Sequence, residues 1–484
     1  MSDTSSSSSS PASPPGWARA VDFVCLALVA LAVIVAVWGG FRVFIGSLRF
    51  ALTSPYRLWL AALVLGLVRH LAAPQAPIYK DVPSRVLRGW RTPAAHSAWL
   101  AFVATRPAIL FVGYLAVVMF GYNHERPPMR IVENEIGNLQ MRWDAGWYFG
   151  IATEGYHVLS FNPTAQQSIV FFPAYPMLMR VAGRVLGGAS TSFLFGGTAV
   201  SFIAFFWGLT YVFRLARDLL GDDDASRQAV WLVAAYPFAY FFGAVYTESL
   251  FLLGIAGTCY HFRRRELVKA GAWGLLVGLT RPNGCFLSIP LAVMALTPWL
   301  PRALSGGPSR DPQPERSWAA LVPQMLTAAM PGIGMLLYSA FVWTLTGHPL
   351  AWAEGHAAWG REYQGFAALL TEQYGEIAHG LYAYTSQTPE DLLNASGVLF
   401  VLVAVWPVAR RLGLAYAMLI LVNILPPLAA GGLLSAGRLS SVLFPAHIWF
   451  ASVIPARHRT GWLVSFMAVQ AFGAALFYTW RELY

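Results

Sequence analysis

Arg142-Trp143-Asp144-Ala145-Gly146-Trp147-Tyr148, running on to Glu154-Gly155-Tyr156-His157 and Phe171-Phe172-Pro173-Ala174-Tyr175-Pro176, is the first long polar stretch after an apolar N-terminal region. It sets one carboxylate, Asp144, among an arginine and several large aromatics. Aromatic faces stack on the C–H faces of sugar rings, and a carboxylate accepts the proton of an attacking hydroxyl, so the stretch has the composition of a sugar site. Trp143, Trp147, Tyr148 and Tyr156 can wall Asp144 from water, which keeps water from competing with an acceptor hydroxyl. Arg142 joins them as a candidate sugar or acceptor ligand. The bland alternative is a solvated carboxylate in an external loop.

The surrounding chain is not that of a soluble protein. Hydrophobic residues make up 57% and charged ones 12%, with a mean hydropathy of +0.52. Apolar blocks of roughly 17–25 residues are long enough to cross ~30 Å of hydrocarbon as helix. They are apolar on every side, whereas barrel strands alternate, so the fold expected is an all-α polytopic membrane protein. The formal charge of +10 would suggest nucleic acid in a soluble chain. Here the arginines fall between apolar blocks, where they orient the chain in a bilayer, and no nucleic-acid partner is expected. Lys80 and Lys269 are the only lysines, an arginine bias that goes with GC-rich coding and a prokaryotic source. Cys25, Cys259 and Cys285 lie in apolar blocks without metal spacing and read as small buried hydrophobes.

Residues 1–15 are a serine and proline tract that cannot bury a core, expected to be a disordered tail. Residues 16–95 carry two blocks, Val21–Trp38 and Leu58–Ala73, read as an N-terminal pair of membrane helices. From residue 96 to 484 the chain reads as one membrane domain, in which Ser97–Tyr122 delivers a large first external loop, 123–190. Further spans are expected at Thr191–Leu215, Val230–Ala244, Glu248–Phe262, Ala270–Thr280, Cys285–Trp299, Trp318–Thr346, Ala395–Val408, Gly413–Ala430, Leu439–Ile454 and Gly461–Trp480, about 13 in all. Ile169–Val185, with Arg180 and Arg184, is expected to lie along the outer interface as an amphipathic helix. The basic clusters Lys80 to Arg91, Arg263 to Lys269, Arg302 to Arg316, Arg410-Arg411 and Arg457 with Arg459 then all face the cytoplasm. Arg42 and Arg49 fall on the outside and strain that topology.

The same topology gathers the remaining polar segments at the outer face. Glu248, beside Tyr246 and Thr247, reads either as an N-terminal helix charge or as a carboxylate facing a polar cavity. Arg281 and Asn283 flank Pro282 in a break between short apolar blocks. A guanidinium at headgroup level suits a lipid phosphate, and an interfacial snorkelling arginine is the bland reading. Arg438 is a further phosphate candidate. The loop with His356, Trp359, Arg361, Glu362 and Tyr363 could bind acceptor or simply be amphipathic. Asp222-Asp223-Asp224 reads as a solvated turn rather than a metal cluster. No nucleotide-binding glycine loop and no internal repeat is found, so an external transferase would need a donor already activated in the lipid.

In these segments the chain resembles the mannosyltransferase family that includes the eukaryotic glycosylphosphatidylinositol mannosyltransferase II and its bacterial relatives. The resembling residues are Arg142-Trp143-Asp144-Ala145-x-Trp147-Tyr148 with Gly155-Tyr156, then Phe171-Phe172-Pro173-x-Tyr175-Pro176, Tyr246-Thr247-Glu248-Ser249 and Thr280-Arg281-Pro282-Asn283-Gly284, in the family's order. It departs from the family pattern at Pro282, often serine, and at Gly146, often histidine. The resemblance implies a C-type glycosyltransferase fold and a lipid-phosphate sugar donor, with Asp144 as base or acceptor-orienting residue.

The function expected is therefore an integral membrane glycosyltransferase of the bacterial inner membrane, its site facing the periplasm. It would move a hexose, mannose by resemblance, from a polyprenyl-phosphate sugar to an acceptor hydroxyl on a glycan, lipid or protein. Inversion follows if Asp144 takes the hydroxyl proton in a single displacement. Arg281, Asn283 and Arg438 would hold the leaving phosphate, and Tyr246 and Glu248 would orient sugar or acceptor. No cofactor is identified from the sequence, and a divalent metal bridging Asp144 and the phosphate stays open. The competing classes are a flippase for lipid-linked sugars and a non-catalytic glycan-binding membrane subunit.

Overall fold

The expected apolar blocks become helices in the computed structural model, which describes residues 15–38, 41–45, 48–52, 55–73, 77, 91–123, 129–158, 160–299, 317–380, 382, 384 and 389–481. The serine-rich tail and the basic segments Lys80 to Arg88 and Arg302 to Arg316 lie outside the described residues. The chain divides into two units, Met1–Thr92 and Pro93–Tyr484.

In the first unit α1 (Gly16–Trp38) and α2 (Pro55–Ala72) pack together. Between them runs a hairpin of β1 (Phe41–Ile45) and β2 (Leu48–Leu52), antiparallel in the register Phe41 to Leu52, which periodicity in this apolar setting did not foretell. The pair is pinned by Arg69, whose Nε lies 2.8 Å from Asp22 Oδ1 and whose Nη2 donates to Oδ2 at 3.0 Å, both side chains buried. An ion pair of this kind answers the cost of placing either charge alone in an apolar setting.

Among its described residues the second unit has helices and connecting segments but no strand. It begins with α3 (Pro93–Phe120), the short α4 (Ala145–Thr153), α5 (Ala174–Val185), α6 (Ser190–Leu220), α7 (Asp223–Ala235), α8 (Glu248–Arg263) and α9 (Leu267–Gly278). It continues with α10 (Ser288–Leu296), α11 (Trp318–Thr346), α12 (Gly365–Ala378), α13 (Pro389–Arg411), α14 (Leu414–Gly431), α15 (Ala436–Ser441), α16 (Phe444–Val453) and α17 (Arg459–Tyr478). The core runs along α6, α7 and α8, with α8 buried on almost every side.

Among the described residues seven helices are long and apolar enough to cross a membrane. The protein is an integral membrane protein on that count. The remaining expected blocks do form helices, but broken ones. Pro237 follows α7, Pro282 opens a 3-10 turn over Pro282–Leu287 before α10, and Val442-Leu443 separate α15 from α16, which has Pro445 in its first turn. A helix of 12 residues such as α9 rises only about 18 Å. Ile169–Val185 forms a 3-10 turn at Ser168–Val170 and then α5, whose Tyr175, Met179 and Gly183 are buried while Arg184 and Val185 are exposed. At 12 residues α5 is too short to span. Asp222 caps α7, accepting from the backbone N–H groups of Asp224 and Ala225, so the aspartate run is a helix start.

The break at Pro282 is placed by a helix crossing. A Cβ added at Gly278 would lie 1.9 Å from the carbonyl oxygen of Pro331 in α11, so glycine alone lets α9 and α11 approach this closely. Three residues later the chain carries Arg281. Gly278→Ala should force the crossing apart and destabilise the fold by about 1–3 kcal/mol, read as a lower thermal midpoint of the detergent-solubilised protein. An unchanged midpoint would mean that α9 and α11 are not in this contact.

Candidate active site

Asp144 is the residue before α4, yet its carboxylate makes no capping bond. It turns instead to Arg438, whose Nη1 donates to Asp144 Oδ2 at 2.9 Å. The backbone around it is held from two sides. Asp144 N–H donates to the hydroxyl of Tyr246 at 3.0 Å. Trp143 adopts the left-handed region with φ 52°, a strained conformation for a bulky residue. Arg142 fixes that strain from the other side: it is fully buried, and its guanidinium donates to the backbone oxygens of Asn138, Met141 and Tyr478.

Glu248 heads α8 with none of its surface exposed. Its Oε1 lies 3.0 Å from Arg438 Nε and 3.2 Å from Arg281 Nη1. The four charges thus alternate in a chain, Asp144, Arg438, Glu248, Arg281. Aromatic faces complete the setting, with Phe241 and Tyr246 under Arg438 and Phe251 under Arg281. The turn that carries Arg438 is anchored by Asn394, whose Oδ1 accepts from Gly437 N–H at 2.8 Å. Asn283 donates from Nδ2 to Asn423 Oδ1 at 3.0 Å, tying the Pro282 break to α14.

These residues open into one cavity of about 820 Å³, lined by Asp144, Tyr148, Arg281, Asn283, Arg361 and Arg438 among others. Its opposite wall comes from the loop after α11, with Trp352, His356 and Trp359. Burial first, and then Glu248, pushes the Tyr148 hydroxyl well above the ordinary phenol range, so it stays a neutral donor. Burial, with Arg361 adding to it, holds His356 below the usual imidazole value and keeps it neutral at pH 7.

Several expected site residues stand elsewhere. Arg142 is spent on backbone carbonyls and is not among the lining side chains. Trp143 donates from its indole to Phe477 O and packs on Trp480. Trp147 sits one layer behind the wall, stacked on Phe171 and edge-on to Trp359, both of which do line the cavity. Tyr156 donates to Phe171 O at 2.7 Å and packs on Tyr338. Tyr246 and Glu248 act from behind, one on the Asp144 backbone and the other on the arginines. Cys285, read as a buried hydrophobe, is half-buried in the lining.

Among the described residues no group of three or more His, Cys, Asp or Glu side chains comes together to hold a metal ion. Asp144 is the one carboxylate in the lining, and three arginines surround it. That donor set suits an anion rather than a divalent cation.

Residues 128–294 match the family model described as mannosyltransferase (PIG-V), so the resemblance read from the four motifs is borne out over that segment. No curated protein matches the chain. Among solved structures, ArnT from Cupriavidus metallidurans bound to undecaprenyl phosphate is similar at 14% identity and a TM-score of 0.41, over 78% of this chain and 75% of that one. The Archaeoglobus fulgidus oligosaccharyltransferase is similar at 11% identity and a TM-score of 0.37, over 78% of this chain. The chain spans about half of that enzyme's length, 53%.

Arg438 is the joint of the charge chain. Arg438→Met leaves Asp144 without its partner and Glu248 with Arg281 alone, and should destabilise by about 3–5 kcal/mol. Adding Asp144→Asn should recover part of that loss, because it removes the charge left without a partner. Thermal midpoints of the two variants measure this, and a double variant no more stable than the single would break the assignment.

Proposed function

We propose that this protein is a glycosyltransferase that moves a hexose from a polyprenyl-phosphate donor to an acceptor hydroxyl, with mannose the sugar the family match favours. The observation that carries the reading is the shared cavity: a carboxylate with one oxygen in use stands beside cationic side chains at the mouth of an apolar, aromatic-walled hollow. Such a hollow accepts a sugar between aromatic faces while its arginines receive the anion that leaves.

Asp144 is the base. Arg438 holds Oδ2, and among the described residues Oδ1 takes no hydrogen-bond partner, so it is turned out to accept. The acceptor oxygen attacks the anomeric carbon as the bond to the phosphate oxygen breaks. Its proton passes to Asp144, and the electron pair of the breaking bond leaves on the lipid phosphate. Attack opposite the leaving group inverts the anomeric centre. The phosphate is already an anion and needs no general acid, only charge to hold it, which Arg281 and Arg438 supply with Asn283 at the same wall.

Orientation follows from α8, which begins at Glu248 and ends at Arg263, about 22 Å further along the axis. The site and the Arg263 cluster therefore stand at opposite ends of one helix. With basic clusters kept in the cytoplasm, the cavity faces the exterior, the periplasm for a bacterial inner membrane. The external loop 123–190 then carries the base.

Asp144→Asn, assayed in nanodiscs with a labelled polyprenyl-phosphate hexose, should cut transfer by about 10²–10⁴-fold while the folded yield is kept. A near-normal rate would remove Asp144 as base.

A further inference from the structure

Five charged side chains gather at the cavity, four in its lining and Glu248 behind it: Asp144 and Glu248 against Arg281, Arg361 and Arg438. Their pairings show which cation is left over. Arg438 is doubly engaged, Nη1 on Asp144 and Nε on Glu248. Arg281 faces Glu248 through Nη1. Arg361 has no carboxylate: among the described residues its one hydrogen bond runs from Nη2 to the neutral carbonyl of Leu434 at 3.0 Å. Two negative charges are thus shared between two of the three guanidiniums, and the surplus sits on Arg361.

Its position is built rather than incidental. Gly360, with φ +69°, turns the chain just before it, and Gln364 N–H donates to Ala429 O just after it, which docks the segment on the end of α14. A Cβ at Gly431 would lie 3.2 Å from both Cγ and Nη1 of Arg361, so the guanidinium lies flat against bare backbone. Burial first, then the repulsion of Arg438, pushes Arg361 down to about 10, the mark of a cation short of counter-charge. A planar guanidinium in that condition is matched by a phosphate, which it can grip through paired N–H donors.

We infer that Arg361, on the loop after α11, is the principal ligand of the donor's lipid-linked phosphate, with Arg281 and Arg438 supplying field from positions already committed to Glu248 and Asp144. The single surplus charge matches the single charge of a sugar phosphodiester. This assignment rests on the reading of a lipid-phosphate donor, so the test separates the two.

Full-length protein in nanodiscs is titrated with undecaprenyl phosphate and, in parallel, with neutral undecaprenol. Wild type should prefer the phosphate, and Arg361→Gln should weaken phosphate binding by about tenfold or more, some 1.4 kcal/mol, while leaving undecaprenol binding unchanged. Arg361→Lys should fall between them. Gly431→Ala keeps the arginine but displaces its guanidinium, and should also weaken the phosphate selectively, which covers the case of a misfolded Gln variant. If wild type discriminates and both Arg361→Gln and Gly431→Ala bind the phosphate as wild type does, Arg361 is not the ligand although the donor reading stands. If wild type binds both lipids equally, the donor reading falls and takes the assignment with it.

Discussion

The site depends on a buried carboxylate with two arginines. Glu248 is wholly withdrawn from solvent, and Arg438 and Arg281 approach it from different helices. Each of these charges would be costly alone at that depth, and together they satisfy one another only in a single relative placement. That requirement ties the start of α8, the Pro282 break and the α15 turn to one point. Asp144 is added as the outer member of the chain, held by the free side of Arg438. The carboxylate that faces the cavity is thus oriented by a residue nearly three hundred positions away in sequence.

Around this point the fold is made of interruptions. Helices α8 and α9 deliver Glu248 and Arg281 at their ends because they stop short of a full crossing, and α15 is a single short turn between longer elements. Polar side chains in an apolar setting are affordable where backbone turns and other polar groups share the space. The gap between the expected count of spans and the long helices found has this same origin. Blocks such as Leu439–Ile454 are apolar enough to look like crossings, but the backbone uses them as bent walls.

Legibility in the sequence followed the kind of constraint. Glu248, Arg281 and Arg438 stood out because charge is rare in this chain and each interrupts an apolar run, Asp144 because it sits among large aromatics, and the structure brings all four together. The aromatic motif was harder to resolve. Arg142, Trp143 and Tyr156 share its composition but spend their polar atoms on backbone carbonyls, some in the motif's own neighbourhood and some as far away as Phe477 and Tyr478, which local spacing does not reveal. Trp147 contributes through Phe171 and Trp359 rather than directly. Arg361 lay in a loop of mixed polarity, and its significance comes only from which carboxylates are already taken. The hairpin of the first unit was invisible because its residues are as apolar as the helices beside them.

The cavity has two walls of different make. One is the charge chain, locked by the tight α9–α11 crossing, where no side chain larger than hydrogen fits at Gly278. The other is the segment from Trp352 to Arg361, two short helical turns held to α11 by the Trp352–Ser339 hydrogen bond and to Leu434 by Arg361. Inheritance can therefore treat them separately. Descendants of this chain are free to vary the looped wall around Arg361, and so the molecules it admits, while that arginine and the charge chain stay in place.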